Sequence, residues 1–577
     1  MHLIRKFRIP ALFCALAVLF CELISRPFVE MGISDEGPYI LVAQQLAATG
    51  HVLYNGWISA MLGWQLYLAA VFIKLFGFSF STVRMSTLLV AMALAFVLQR
   101  TLVRANISER NATIGTLALV LSPLYLMMSV TFMSDITGLF AVLLCLYGCL
   151  RALQAANSSK AIGWLWFAVA SNAICGTSRQ VAWLGVFVMV PSTLWVLRTQ
   201  RRVVFAGAAA TLAGTLFIFG CIHWFQQQPY TIPPVSLIPS TFPLGQTLWE
   251  FYDFLLDIPF LLLPLVALFL PEIRKSRPRN IAIIAALFLG YLLLAIHPRH
   301  LHHIFLLEPT MIGEGDWVGV HGIHEGLHLQ GAIPIFLHIG VRFLLTILSL
   351  GGLIGLITSL LRFVQVPSPS LPSTGISWRQ LFAVLVPFTI AYTALLIPRA
   401  ATGWIFDRYA LELLVVALFF LLRYYQEQVQ PQLPLASVLL VGIMAVYGVA
   451  VIHNQFSLYR ARVVLAAELR ATGIPDTSVD NGFEYNFEVE LQHAKFINDP
   501  GIALPANAYV PTPPLPAGTC PMFWYEKTPH IHPLYGVSFD PNACYGPAPF
   551  APIHYSRWLA SEPGTLYVVR YTAPLKP

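Results

Sequence analysis

Three of the chain's few acidic residues lie where long apolar segments begin or end. Asp35 and Glu36 follow the first apolar segment, in MGISDEGPYIL, and Asp135 precedes another, in TFMSDITG. Carboxylates at such positions can line a water-accessible cavity, where they take up protons or hold cations. The alternative is a set of solvated loop charges. The amphipathic stretch PYILVAQQLAATG after the pair and the apolar run beside Asp135 favour the cavity.

The composition indicates a polytopic membrane protein. Of 577 residues, 57% are hydrophobic and only 11% are charged, and the charges lie in short islands between apolar runs. A single soluble core of this size is not expected, whereas apolar runs of about 17 to 25 residues predict helices that span a bilayer. The net charge of +7 comes from Lys and Arg at the ends of those runs. This pattern indicates membrane orientation and excludes nucleic acid as the expected partner.

The basic islands set the predicted topology. Arg5, Lys6 and Arg8 place the N-terminus in the cytoplasm, and an uncleaved first span at about 10–28 delivers Asp35 to the outer face. The first outer loop, 29–82, contains a segment predicted to lie along the membrane interface. Successive spans cross the membrane in opposite directions, with the basic islands on the cytoplasmic side. Followed along the chain, this rule predicts about thirteen transmembrane helices, further outer loops at 226–248 and 297–332, and an extracytoplasmic C-terminus.

Two domains follow from this topology, a transmembrane domain at 1–453 and a small α/β domain at 454–577. In the second, SLYRARVVLAAELRATG predicts a helix ending at Gly473, and TLYVVRYTA predicts a strand. Cys520 and Cys544 lie in this polar region, where an oxidising compartment would favour a disulfide between them.

The outer loop 297–332 is rich in histidine and contains HEGLH, which matches the H-E-x-x-H motif of metalloproteases. That motif needs a regular helix, and Gly322 and Gly326 disfavour one here. An ordinary polar loop is therefore favoured over adventitious metal binding, and both are favoured over a protease.

Five segments together resemble a known family. They are SDEGPYILVAQQLAATG, GWQLYLAAVFIKLFGFSFSTVRMSTLL, LSPLYLMMSVTFMSD, GTSRQVAWLGVFVMVP and FDRYALELLVVALFFLL. In this order they are similar to polytopic GT-C glycosyltransferases, in the bacterial branch around family 39 that includes lipid A aminoarabinose transferases and Rgt-type lipopolysaccharide core transferases. The resemblance covers roughly residues 10–453, and it implies a GT-C fold in a bacterial inner membrane.

The resemblance also implies an activity, the transfer of a sugar from a polyprenyl-phosphate donor to a lipid, polysaccharide or protein acceptor on the extracytoplasmic face. Asp35 matches the family's general base for an inverting reaction. Glu36 and Asp135 match accompanying acids, which would position acceptor or sugar or hold a divalent cation. Arg179, Arg408 and Arg84 are the favoured ligands of the donor phosphate.

The remaining outer-face arginines, Arg299, Arg342 and Arg399, are equally well explained as interfacial anchors. No nucleotide-binding pattern is found in the sequence, which fits a lipid-linked donor because such a donor needs no nucleotide pocket. Transporters and flippases usually show internal repeats and interrupted helices in matching halves, and neither is found in the sequence, so the enzyme is favoured over this alternative. A protein that binds lipid-linked sugars without transferring them remains open.

Overall fold

The structure is a computed structural model that describes residues 8–59, 63–233, 239–295, 329–365, 375–402 and 405–573. These residues form a predominantly helical protein with one small sheet, which confirms the predicted class of fold. The histidine-rich motifs HPRHLHH and HGIHEGLH lie outside the described residues, so their use stays a prediction.

The helices and strands are numbered in chain order. The helices are α1 Ile9–Ser25, α2 Glu36–Thr49, α3 Gly63–Phe76, α4 Phe80–Arg104, α5 Glu109–Val120, α6 Pro123–Ser129, α7 Asp135–Leu153, α8 Ser158–Cys175, α9 Val190–Val196, α10 Arg201–Gln226, α11 Leu244–Leu261, α12 Leu263–Val266, α13 Leu270–Arg274, α14 Pro278–Ala295, α15 Ile339–Gln365, α16 Trp378–Ala401, α17 Leu411–Tyr424, α18 Leu435–Ala471 and α19 Phe483–Ala494. The strands are β1 Val479–Asp480, β2 Tyr535–Ser538, β3 Ile553–Tyr555 and β4 Gly564–Arg570.

Seven helical segments in the described part of the chain are long and apolar enough to cross a membrane, which identifies a multi-pass membrane protein. They are α4, α7, α10, α15, α16, α18 and the run Asp407–Val429. Large apolar side chains on α10, such as Phe205 and Leu216, are exposed, as expected for a surface in contact with lipid. Helices α1, α3 and α14 are shorter apolar elements, and the predicted count of thirteen spans is not confirmed.

The apolar run at 112–130 predicts one continuous span, and in the structure this span is broken. Helices α5 and α6 meet at a bend of 71°, and together they bring the number of candidate spans to eight. Ser122 caps the second helix through Tyr125 N, and Pro123 occupies its first position. Proline lacks the N–H that a continuous helix would need there, so the chain starts a new helix instead.

The alternation of spans also predicts cytoplasmic loops near Arg104, near Arg151, at 366–375 and between 425 and 434, and residues in or next to these loops contact one another. The Asn106 side chain donates to Ile376 O over 3.0 Å, Gln154 donates to Arg104 O over 2.9 Å, and Ser108 N donates to Gln426 Oε1 over 2.8 Å. These loops therefore lie on one side of the helices, and their location in the cytoplasm stays a prediction.

Helix α18 has 37 residues and runs through the predicted domain boundary at 453/454. At about 1.5 Å per residue it is longer than a bilayer core is thick, so it carries the chain directly from the membrane into the C-terminal region. Gly473 follows its end with a φ of 87°, in agreement with the predicted C-cap.

The C-terminal sheet has the strand order β1-β2-β4-β3, with β1 parallel to β2 and the other pairs antiparallel. The predicted strand TLYVVRYTA contains most of β4, and the predicted disulfide between Cys520 and Cys544 is present.

This C-terminal region packs on the first outer loop. The Trp57 ring lies 4.5 Å from the Phe487 ring and 5.4 Å from the Trp524 ring, measured between centroids. Ile497 N donates to Asn55 O over 2.8 Å. A Cβ atom on Gly56 would stand 2.6 Å from Ile497 O, so only glycine permits this approach. The loop that begins near Asp35 is therefore held from outside by the C-terminal region.

Candidate functional site

A cluster of acidic and basic side chains forms where several helix ends meet. Asp35 is the N-cap of α2, and Asp135 is the first residue of α7. Arg179 follows α8, Arg399 lies in the last turn of α16, and Arg408 belongs to a 3₁₀ turn before α17. All five residues lie at or near helix ends, where Ser, Gly, Thr or Pro interrupts regular helix. Their side chains therefore extend from separate helices toward a common region.

The ring of Tyr409 lies at the centre of the three arginines. The guanidinium carbons of Arg179, Arg408 and Arg399 lie 5.1, 5.7 and 5.9 Å from its centroid. Cations at this distance are attracted to the electron-rich face of an aromatic ring. Tyr409 therefore allows three like charges to gather around one point.

Arg179 is already paired with two carboxylates. It forms an ion pair with Asp135, and its Nε lies 3.8 Å from Glu412 Oε1. The hydroxyl of Tyr392 donates to the other Glu412 oxygen over 2.8 Å. Asp135 and Glu412 are each only 2% exposed, so one guanidinium and two carboxylates form a buried network in which the positive charge of Arg179 is fully compensated.

Asp35 differs from the two other acids predicted for the site. Its side chain is 29% exposed, against 3% for Asp135 and 0% for Glu36. Arg408 Nη2 lies 3.9 Å from Asp35 Oδ2, a distance at the limit of an ion pair. Of the three, only the Asp35 carboxylate presents a substantial surface to an incoming molecule.

Tyr39, one turn further along α2, faces the same cluster. Burial raises the pKa of its phenol well above the ordinary value, and the charges of Asp35 and Asp135 raise it further while Arg408 lowers it. Tyr39 therefore stays protonated and adds a neutral polar group beside Asp35.

Glu36 and Arg84 pair with each other beneath the loop and do not join the cluster. Glu36 Oε1 accepts from Arg84 Nε and from Ile33 N, each over 2.9 Å, and Oε2 accepts from Phe132 N. Arg84 also donates to the carbonyl oxygens of Val29 and Met31. This pair therefore joins the loop that carries Asp35 to helix α4 and to the segment before Asp135.

The structure thus brings together four of the six residues predicted from the sequence, namely Asp35, Asp135, Arg179 and Arg408. Sequence reasoning did not single out Tyr392, Tyr409 or Glu412, and it left Arg399 among the possible interfacial anchors. Tyr409 and Glu412 lie within the motif FDRYALELL, so their closeness in sequence to Arg408 could have identified them as site residues. Tyr392 and Arg399 come from a different helix, and no local pattern marks them.

Among the residues that the structure describes, no group of three or more His, Cys, Asp or Glu side chains is arranged to hold a metal ion. Hard cations take six or more oxygen ligands, whereas Asp35 and Asp135 each face an arginine.

No family model and no curated protein matches the chain. Solved structures similar to it include ArnT from Cupriavidus metallidurans in the apo state, with 16% identity, 82% coverage of each chain and a TM-score of 0.40. The same protein bound to undecaprenyl phosphate gives 14% identity, coverage of 96% of this chain and 97% of that one, and a TM-score of 0.41.

The apo oligosaccharyltransferase of Archaeoglobus fulgidus gives 14% identity and a TM-score of 0.42, over 90% of this chain and 64% of that one. These solved structures belong to the GT-C superfamily, the one that the sequence motifs resemble. At these identities and TM-scores the similarity assigns neither a family nor a substrate to this chain.

Proposed function

We propose that this protein is a membrane glycosyltransferase that moves a sugar from a polyprenyl-phosphate donor to an acceptor hydroxyl on the extracytoplasmic face of a bacterial inner membrane. The observation that carries the proposal is the partly exposed carboxylate of Asp35, held at a helix N-terminus beside a group of arginines. The acceptor is a glycolipid, a polysaccharide or a protein.

In the proposed reaction, the acceptor oxygen attacks the anomeric carbon of the sugar and forms the new glycosidic bond. The bond between that carbon and the phosphate oxygen breaks, and its electron pair leaves with the polyprenyl phosphate. The hydroxyl proton passes to Asp35, and the configuration at the anomeric carbon inverts. A base in hydrogen-bond reach of the hydroxyl contributes about 10²–10⁴-fold in rate.

The phosphate requires positive charge, because negative charge develops on it as the bond breaks. Arg399 forms no ion pair with any carboxylate in the described part of the chain, and Arg408 lies beside the partly exposed carboxylate of Asp35, with 3.9 Å between Nη2 and Oδ2. We assign the phosphate to these two. Arg179 is neutralised by Asp135 and Glu412, so its proposed role is to fix Asp135 and the ring of Tyr409.

Glu36 and Arg84, both predicted from the sequence to contact substrate, are assigned a positioning role. Their side chains are 0% and 3% exposed, and their hydrogen bonds go to each other and to the backbone. A group with no exposed surface cannot reach an acceptor without a rearrangement of the loop around it.

The test compares wild type with Asp35→Asn in membranes at matched expression. Radiolabelled hexoses and pentoses linked to undecaprenyl phosphate are supplied, and label in the acceptor fraction is counted. Glu30→Gln is the control, because Glu30 is an exposed acid of the same loop that bonds to Phe80 N and Ser81 instead. We expect a loss of about 10²-fold or more in Asp35→Asn and none in the control.

Full transfer by Asp35→Asn would overturn the assignment of the base. Absence of transfer by wild type with every donor of the panel would count against a glycosyltransferase and in favour of a binding or transport protein.

A further inference from the structure

The C-terminal region contributes a buried carboxylate to the loop that carries Asp35. Glu484, on α19, has a side chain with 0% exposure and forms an ion pair over 3.0 Å with Arg462, which is also 0% exposed. The hydroxyl of Tyr459 donates to Glu484 Oε1. The same oxygen accepts from the backbone N–H of Ser34 over 3.3 Å, across 450 residues of sequence.

Ser34 immediately precedes Asp35 and has a φ of 54°. This left-handed conformation is unfavourable for a residue with a side chain, and it persists only where the surroundings enforce it. The backbone there sets the direction of the Asp35 side chain, so whatever fixes Ser34 also fixes the carboxylate.

Two successive amides of this loop are each bonded to a buried carboxylate. Ile33 N donates to Glu36, which is paired with Arg84, and Ser34 N donates to Glu484, which is paired with Arg462. The first carboxylate comes from the transmembrane part of the chain and the second from the C-terminal region. The loop is therefore held between two buried acid–arginine pairs of separate origin.

We propose that Glu484 is a positioning residue for Asp35, and that the C-terminal region thereby completes the active site of the transmembrane domain. The inference rests on the proposed function, because it needs Asp35 as the base. Glu484 does not touch substrate; it holds the Ser34 amide so that the Asp35 carboxylate stays directed at the cation cluster.

The experiment measures kcat and the donor KM per folded enzyme for Glu484→Gln, using the labelled undecaprenyl-phosphate sugar that wild type transfers. Folded enzyme is quantified from the monodisperse peak in detergent. Glu490→Gln is the matched control, because Glu490 lies on the same helix, is equally buried, and bonds to His530 instead of the first loop. Both variants lose a buried carboxylate, but only one contacts the loop of Asp35.

We expect kcat of Glu484→Gln to fall about 10- to 100-fold with an unchanged donor KM, since a misplacement of about 1 Å costs about that much. Glu490→Gln is expected to keep the wild-type kcat. In addition, Ser34→Gly combined with Glu484→Gln should recover part of the lost kcat, because glycine adopts a φ of 54° without support. A purely structural role would not be rescued in this way.

A wild-type kcat per folded enzyme in Glu484→Gln would overturn the inference. Should that variant not fold, Glu484→Asp makes the same test, because it keeps the charge opposite Arg462 but shortens the side chain that reaches Ser34. Loss of transfer in Asp35→Asn together with wild-type rates in the Glu484 variants would refute this inference alone. Retained transfer in Asp35→Asn would refute the assignment of Asp35 as the base and this inference with it, and absence of transfer by wild type would count against the proposed function itself.

Discussion

Replacement of Glu36 by Gln tests whether this residue supports the loop or contacts the substrate. The sequence pattern predicts an acid that meets the acceptor or the sugar, whereas in the structure its side chain has no exposed surface. Its two oxygens accept from Arg84, Ile33 N and Phe132 N. Glutamine has the same shape but replaces one oxygen with a donor, so the –NH₂ group must face at least one of these N–H groups.

The expected loss of stability follows from the burial of the pair. Removing one partner of a buried ion pair leaves the other charge uncompensated and costs about 3–5 kcal/mol. Arg84 keeps its hydrogen bonds to the carbonyl oxygens of Val29 and Met31 in this variant, so the lower end of this range applies. With an unfolding entropy of about 2.1 cal/mol/K per residue, a chain of 577 residues would melt about 3 °C lower.

The assay is thermal unfolding of the detergent-purified protein, with transfer measured per folded molecule. Glu36→Gln combined with Arg84→Met should lose less than the sum of the two single losses, because the double variant leaves no unpaired charge. Unchanged melting of Glu36→Gln together with abolished transfer would refute the reasoning, and would return Glu36 to the role that the sequence pattern predicts.

Three further outcomes are expected. Arg399→Gln should lower kcat/KM for the lipid-linked donor by about 10- to 100-fold in the transfer assay, since it removes a charge-assisted contact to phosphate, and wild-type kinetics would contradict that assignment. The disulfide between Cys520 and Cys544 closes a loop with a sequence separation of 24. Its reduction should destabilise the C-terminal region by about 2–4 kcal/mol, which is measured by thermal melting with and without reductant.

The third outcome concerns pH. Burial raises the pKa of Glu488 from 4.5 to about 7, so the folded state binds a proton more tightly than the unfolded state. Stability from this group is therefore greatest below pH 4.5, falls as the pH rises, and reaches its minimum above about pH 7, a difference of at most about 3 kcal/mol. Glu488→Gln should abolish this part of the pH dependence of melting, and an unaltered profile would contradict it.

The general plan of the molecule was predictable from the sequence because it depends on local properties. Apolar runs predict membrane helices, and basic islands predict which loops share a side; the contacts of Asn106 with Ile376 and of Ser108 with Gln426 agree with that assignment. The break at Pro123 was missed, because hydropathy over 112–130 is continuous and the proline affects only the hydrogen bonding of the backbone.

The pairing of charges was not predictable, because it depends on which helices meet. Arg179 and Arg399 had similar sequence contexts at the ends of apolar runs. In the structure one is neutralised by Asp135 and Glu412, and the other forms no ion pair in the described part of the chain. Likewise, no pattern within the first loop indicates that Glu484, 450 residues away, bonds to it.

The adjacency of Asp35 and Glu36 shows why two neighbouring acids need not share a task. Asp35 is the N-cap of α2 and Glu36 its first residue, and successive positions on a helix are rotated by about 100°. Two side chains so rotated cannot face the same point. One therefore faces the cluster, with 29% of its side chain exposed, and the other faces the interior, where it needs Arg84 to remain charged. The buried acid fixes the loop, and because the loop is fixed, the exposed acid keeps one direction.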